Sequence, residues 1–127
     1  MNLSQSLLRN NCIVMNKAVA DAISINSSLM LAELIKRYEY YSMNDMLTND
    51  GYCCMPVHSI EEATTLTKYQ QAQSVTKMVE LNLIEIVKRG LPCKRYFKLN
   101  VEVIEDFILN LECLSTRTEI GKLQSKG

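Results

Sequence analysis

Between Thr67 and Lys77 the chain carries a dense supply of hydrogen-bonding side chains: Thr67, Lys68, Gln70, Gln71, Gln73, Ser74 and Lys77. Wound into a helix at about 100° per residue, Gln70, Gln73, Ser74 and Lys77 fall on one side. Ala72, Val75, Thr76 and Val79 fall on the other, which is predicted to face the core. Thr67, Lys68 and Gln71, near the leading end of the helix, are also counted among the candidate DNA contacts. A row of amide, hydroxyl and ammonium groups suits hydrogen bonding to base edges and phosphates in a DNA major groove. A merely solvated helix face has the same composition, so the neighbouring residues 83–99 must decide between the two.

Those residues read as a β-hairpin. Residues 83–88 and 94–99 alternate at period two and are rich in β-branched or aromatic side chains. Ile84 and Ile86 are predicted to point inward and meet Phe97 and Leu99. Gly90 permits a positive φ and Pro92 stiffens the return, so residues 89–93 form the tip. Lys88, Arg89, Lys94 and Arg95 flank that tip. One or two charges there would protect a strand edge; four suggest contacts to phosphates.

Two capping boxes are predicted to position these groups. Ser59 is followed three residues on by Glu62, and Thr67 by Gln70. They predict a short helix from Ile60 to about Thr65 and a second from Lys68 to about Leu81, joined by a tight turn. Helix, helix, strand, strand is the core of a winged helix-turn-helix. The predicted fold class is therefore mainly α with a small antiparallel sheet.

Upstream, Asn16 can cap a helix ending near Ser24, and Asn26 a longer one over about 27–42 with Leu31, Leu34, Ile35, Tyr38 and Tyr41 as its apolar face. That longer helix is expected to be the scaffold. Asn49-Asp50-Gly51 signals a turn. Tyr52 to Met55 is a short strand closed by Pro56, expected to join the hairpin in a three-stranded sheet. Asn100 can cap a last helix to about Cys113, with Ile104, Phe107, Ile108 and Leu111 as its stripe. The winged helix-turn-helix domain is expected to span residues 1–113, its first eleven residues a short helix or frayed arm. The Ser/Thr/Lys/Gly-rich residues 114–127 are expected to be a tail or linker.

The 127 residues carry 14 basic and 14 acidic side chains, a formal net charge of zero. The distribution is uneven: residues 66–100 hold seven cations against two acids, and the remainder of the chain is correspondingly acidic. A basic module in an acidic chain is the footprint of an oriented electrostatic surface. Five cysteines, an odd count, with no evident secretory signal, lead to free thiols in a reducing, cytoplasmic setting. No run is long enough for a membrane span. Cys53 and Cys54 are adjacent on a predicted strand and point to opposite faces, and with His58 they lack metal-finger spacing. No metal or other cofactor is expected. There is no Gly-rich phosphate loop, no H-E-x-x-H and no G-x-S-x-G, and paired carboxylates occur only on helix surfaces, so no catalytic residue is expected.

Several segments resemble a known group. They are Cys12-Ile-Val-Met-Asn-Lys-Ala-Val-Ala, Leu34-Ile-Lys-Arg-Tyr-Glu-Tyr-Tyr-Ser, Asp50-Gly51-Tyr52, Ser59-Ile-Glu-Glu-Ala-Thr-Thr-Leu-Thr-Lys-Tyr-Gln-Gln, and Leu83-Ile-Glu through Gly90-Leu-Pro-Cys-Lys-Arg-Tyr-Phe-Lys-Leu-Asn. Over about residues 12–110 the chain is similar to the N-terminal winged-helix domain of replication initiator or replisome-organiser proteins of the DnaD type. These belong to phages and mobile elements of low-GC Gram-positive bacteria. The resemblance implies duplex DNA binding, in replication initiation or transcriptional control, and self-association. Members of that group usually continue into a further domain, so this chain is either part of a longer protein or a short relative. Small phage proteins also reuse such folds to bind host proteins, so a protein-interaction module that modulates a host machine stands as the alternative.

Overall fold

The computed structural model describes Leu3, Gln5 and residues 14–124, the side chains of 113–124 excepted. Helix α1 (Lys17–Ile23) begins where the Asn16 side chain accepts a hydrogen bond from the Val19 N–H, at 3.2 Å. A single residue, Ser24, separates it from α2 (Ile25–Met43). Ser24 has φ +140° and its hydroxyl accepts from the Ser27 N–H, so it, and not Asn26, caps α2. Met30, Leu31 and Leu34 of α2 are buried, and Ile35, Tyr38 and Tyr41 pack against the core edge, as the spacing predicts for a scaffold helix. A turn follows. The Tyr38 hydroxyl donates to the Gly51 carbonyl at 2.8 Å, which fixes where the chain re-enters the core as β1 (Cys53–Cys54).

Helix α3 (Val57–Thr64) starts three residues before its predicted first residue, with Pro56 as its N-cap and no side-chain cap. The Ser59–Glu62 box therefore does not form. Ser59 lies within the first turn, where its hydroxyl and carbonyl accept from Arg37 of α2, and Arg37 is itself paired with Glu33. Thr65 ends α3 in the left-handed region at φ +66°, and Leu66 is buried beneath the turn. The second predicted box forms completely. Thr67 accepts from the Gln70 N–H and the Gln70 side chain accepts from the Thr67 N–H, opening α4 (Lys68–Glu80). Asn82, at φ +59°, turns the chain after it.

Strands β2 (Ile84–Arg89) and β3 (Lys94–Leu99) form the hairpin, and β1 pairs with β3, giving the antiparallel order β1-β3-β2. Ile84 pairs with Leu99 and Ile86 with Phe97, the register expected from the alternation. Phe97 is wholly buried, as are Met30, Leu34, Met55, Ile60, Met78 and Leu83 in the same core. Gly90 has φ +89° at the tip. The last helix, α5 (Val101–Gln124), packs on α1, with Ile104 buried. It does not stop near Cys113: the segment expected to be a linker is helical to Gln124. It contains no proline, and adding residues to a helix already nucleated is easier than starting one. The expected N-terminal arm lies almost wholly outside the described residues.

Candidate nucleic-acid interface

The faces of α4 are rotated from the predicted assignment. Gln71, Ser74, Val75 and Met78, at i, i+3, i+4 and i+7, form the buried stripe. Ala72, Thr76 and Val79, placed in the core from the sequence, are exposed; only Val75 is buried as expected. Two of the expected DNA-contact residues are thus turned away from solvent: Gln71 is 0 % and Ser74 2 % exposed. For Gln71 the cause is hydrogen bonding. Its Nε2 donates to the carbonyls of Val57, at 3.1 Å, and Leu66, at 2.9 Å, which lie at the start of α3 and in the turn. Its Oε1 accepts from Arg95 Nη2 of β3 at 2.9 Å. A buried amide with its groups satisfied this way is tolerated.

The outward face of α4 carries Lys68, Tyr69, Gln73, Thr76 and Lys77, with Ala72 between them. Gln70 is half-buried and serves the capping box with Thr67. Tyr69 is 71 % exposed, and its hydroxyl accepts from Gln73 Nε2 at 2.9 Å. Tyr69 is not among the residues expected to contact DNA; its outward direction follows from the phase of the buried stripe, which polar Gln71 and Ser74 mask in the sequence.

The four wing cations have different fates. Lys88 and Lys94 are exposed and make no ion pair among the described residues. Arg89 is exposed but engaged. Both of its terminal nitrogens donate to the Asp50 carboxylate, and its guanidinium lies 4.9 Å from the Tyr52 ring centroid and 5.6 Å from that of Tyr96. Hydrogen bonds from Arg89 and then Thr48 hold the Asp50 carboxyl well below the usual carboxylate range, and the same pairing raises Arg89. Arg95 turns inward. It donates to the Met55 carbonyl at 3.0 Å as well as to Gln71, and lies 5.1 Å from the Phe97 ring centroid. Its Nε is buried without a partner among the described residues, and burial pulls its pKa down. Arg95, one of the expected DNA contacts, ties the tip-proximal part of β3 to the first turns of α4. Alternation along the strands puts Lys88 on the α4 side of the wing, opposite Arg95, and Lys94 on the other side, opposite Arg89.

Cys53 is buried opposite Phe97, and desolvation, then the nearby Cys54, push its thiol up to about 11. His58 is exposed and paired with Glu62 at 3.0 Å. Among the described residues no group of three or more His, Cys, Asp or Glu is placed to hold a metal ion, and no helix is long and apolar enough to cross a membrane.

These elements define a winged helix-turn-helix: α3, turn and α4, followed by a two-stranded wing whose β3 also pairs with β1. The fold is shared with a solved structure described as the N-terminal domain of DNA binding protein, at a TM-score of 0.55 and 14 % sequence identity, covering 78 % of this chain and 80 % of that one. No protein-family model matches the chain, and no curated protein matches it significantly.

Proposed function

We propose that this chain is a double-stranded DNA-binding module, not an enzyme. The observation that carries the reading is the exposed row of Lys68, Tyr69, Gln73 and Lys77 on the outward face of α4, with exposed Lys88 on the face of the adjoining wing that Arg95 shares. In winged and simple helix-turn-helix proteins the second helix enters the major groove with its N-terminal residues at the base edges. Here that end is held to the wing by Gln71 and Arg95, so helix and wing meet a duplex as one body. A solved domain of the same fold is described as belonging to a DNA-binding protein, which supports the reading. The resemblance to replisome-organiser proteins favours replication initiation in a phage or mobile element, in the cytoplasm, over transcriptional control.

The test is an anisotropy titration on random duplex at several salt concentrations. Phosphate contacts make log affinity fall linearly with log salt, by about 0.9 per contact. Lys88→Ala with Lys94→Ala should leave the melting temperature unchanged and flatten that slope. An unchanged slope and affinity remove the wing from the interface; no duplex binding at low salt refutes the function. The competing reading, a module that binds a host protein, draws on a separate feature: Tyr40 and Met43 at the far end of α2 and Met46 just beyond it are 61 %, 84 % and 56 % exposed.

A further inference from the structure

Three glutamines lie within four positions of α4, and the structure gives each amide a different hydrogen-bonding state. Gln71 is occupied on the inside by Val57, Leu66 and Arg95. Gln70 has its carbonyl turned back to the Thr67 N–H at 2.9 Å, so what it presents outward is its NH2 group. Gln73 is the reverse. Its NH2 gives one hydrogen to the Tyr69 hydroxyl at 2.9 Å, which leaves a second N–H and an unengaged carbonyl oxygen side by side at the exposed surface.

The distinction decides which base each can read. Adenine offers the N7 acceptor and the N6 donor in the major groove, and a glutamine satisfies both only with an outward N–H beside an outward carbonyl. Gln73 meets that requirement. Gln70 has its carbonyl committed to the Thr67 N–H and pointed back at the helix start, so its outward donors suit guanine N7 and O6 or a phosphate oxygen better than the paired donor and acceptor of adenine. Tyr69 accepts from Gln73 through its hydroxyl oxygen, and its own O–H remains to donate to a phosphate. A long side chain that is otherwise free to rotate is thereby held in one orientation before a ligand arrives, which lowers the ordering cost of binding.

We infer that Gln73 is the adenine-specifying residue of this protein, that Tyr69 positions its amide, and that Gln70 does not select adenine. The inference rests on the duplex-binding reading and goes beyond it, since binding through phosphates alone needs none of these roles. A hydroxyl-held glutamine predicts a single preferred A·T pair under the first turns of α4, recognised through adenine N7 and N6.

The experiment selects duplexes from a randomised pool with the wild-type protein. Affinity is then measured for the selected site, for the same site with each A·T changed to G·C, and for 7-deazaadenine at each adenine. Wild type should lose roughly 5- to 150-fold at one A·T pair, the range of a good bidentate contact. Gln73→Ala should abolish that difference while keeping its affinity for scrambled duplex. Tyr69→Phe, which keeps the ring and removes only the hydroxyl, should shrink the difference at that pair and no other. Gln70→Ala should leave it intact. Circular dichroism and melting temperature confirm that each variant is folded. Full retention of the preference by Gln73→Ala, or its loss in Gln70→Ala alone, overturns the inference. A wild type that binds duplex with no preferred adenine also overturns it and leaves the duplex-binding reading standing. A wild type that binds no duplex overturns both.

Discussion

Replacing Gln71 by alanine should damage the fold, although Gln73, two positions on, can be replaced at little cost. The side chain is wholly buried and makes three hydrogen bonds, two to backbone carbonyls and one from the Arg95 guanidinium. Each neutral bond contributes about 0.5–1.5 kcal/mol net, and a bond to a charged group about 1.5–3 kcal/mol. Water reaching part of the vacated space offsets some of this, so the expected loss is about 3 kcal/mol, or roughly 10–15 °C in melting temperature for a domain of this size. Gln71→Met keeps most of the volume and removes only the polar atoms, so a similar loss in that variant assigns the effect to the hydrogen bonds. Gln73→Ala, on the exposed face, should stay within about 0.5 kcal/mol of wild type. Urea unfolding followed by circular dichroism measures all three, with duplex affinity read well below each midpoint. A Gln71→Ala variant that loses less than about 1 kcal/mol while losing DNA affinity would refute the reasoning. It would mean that the amide faces the groove, and that Gln71 does not belong to the buried stripe of α4.

Asp50→Asn should release Arg89 at the wing, raising duplex affinity and steepening the salt slope by up to about 0.9; a fall in affinity would show that the pair holds the wing in its binding pose. The Asp50 carboxyl is depressed, so its ion pair is intact above the ordinary carboxylate range and is lost only as pH falls through the lowered value. Duplex affinity should then show no Asp50 titration between about pH 5 and 8. Phe97→Ala should cost about 3–5 kcal/mol, measured by the same unfolding assay, and a loss below about 1 kcal/mol would contradict its burial. The Cys53 thiol, pushed up to about 11, should resist alkylation of the native protein at neutral pH, while exposed Cys93 reacts; equal labelling of both, seen by peptide mapping, would refute the placement of Cys53.

Much of the fold follows from local patterns. The hairpin register is readable because Ile84, Ile86, Phe97 and Leu99 share one face of the alternation, and a shift by one would turn all of them outward. The Thr67–Gln70 box marks the start of α4 because its two bonds are local. The Ser59–Glu62 pattern misleads for a tertiary reason: Pro56 lets the helix begin earlier, and Arg37, reaching from α2, takes the serine. The phase of α4 is hidden because polar Gln71 and Ser74 occupy core positions, and polarity alone assigns them to the surface. The fates of the wing arginines are equally hidden. Arg89 finds its partner 39 residues away and Arg95 finds Gln71 at a separation of 24, distances along the chain that no helical or strand period spans.

The Gln71–Arg95 bridge has an evolutionary consequence. Together with the buried stripe of Ser74, Val75 and Met78 it holds the orientation of α4 from behind. The outward positions 69, 73, 76 and 77 take no part in it. Substitutions at those positions are largely decoupled from stability, because changes at sites with no shared partners add independently. A lineage built on this scaffold can therefore vary the outward face of this helix without first acquiring compensating changes in the core.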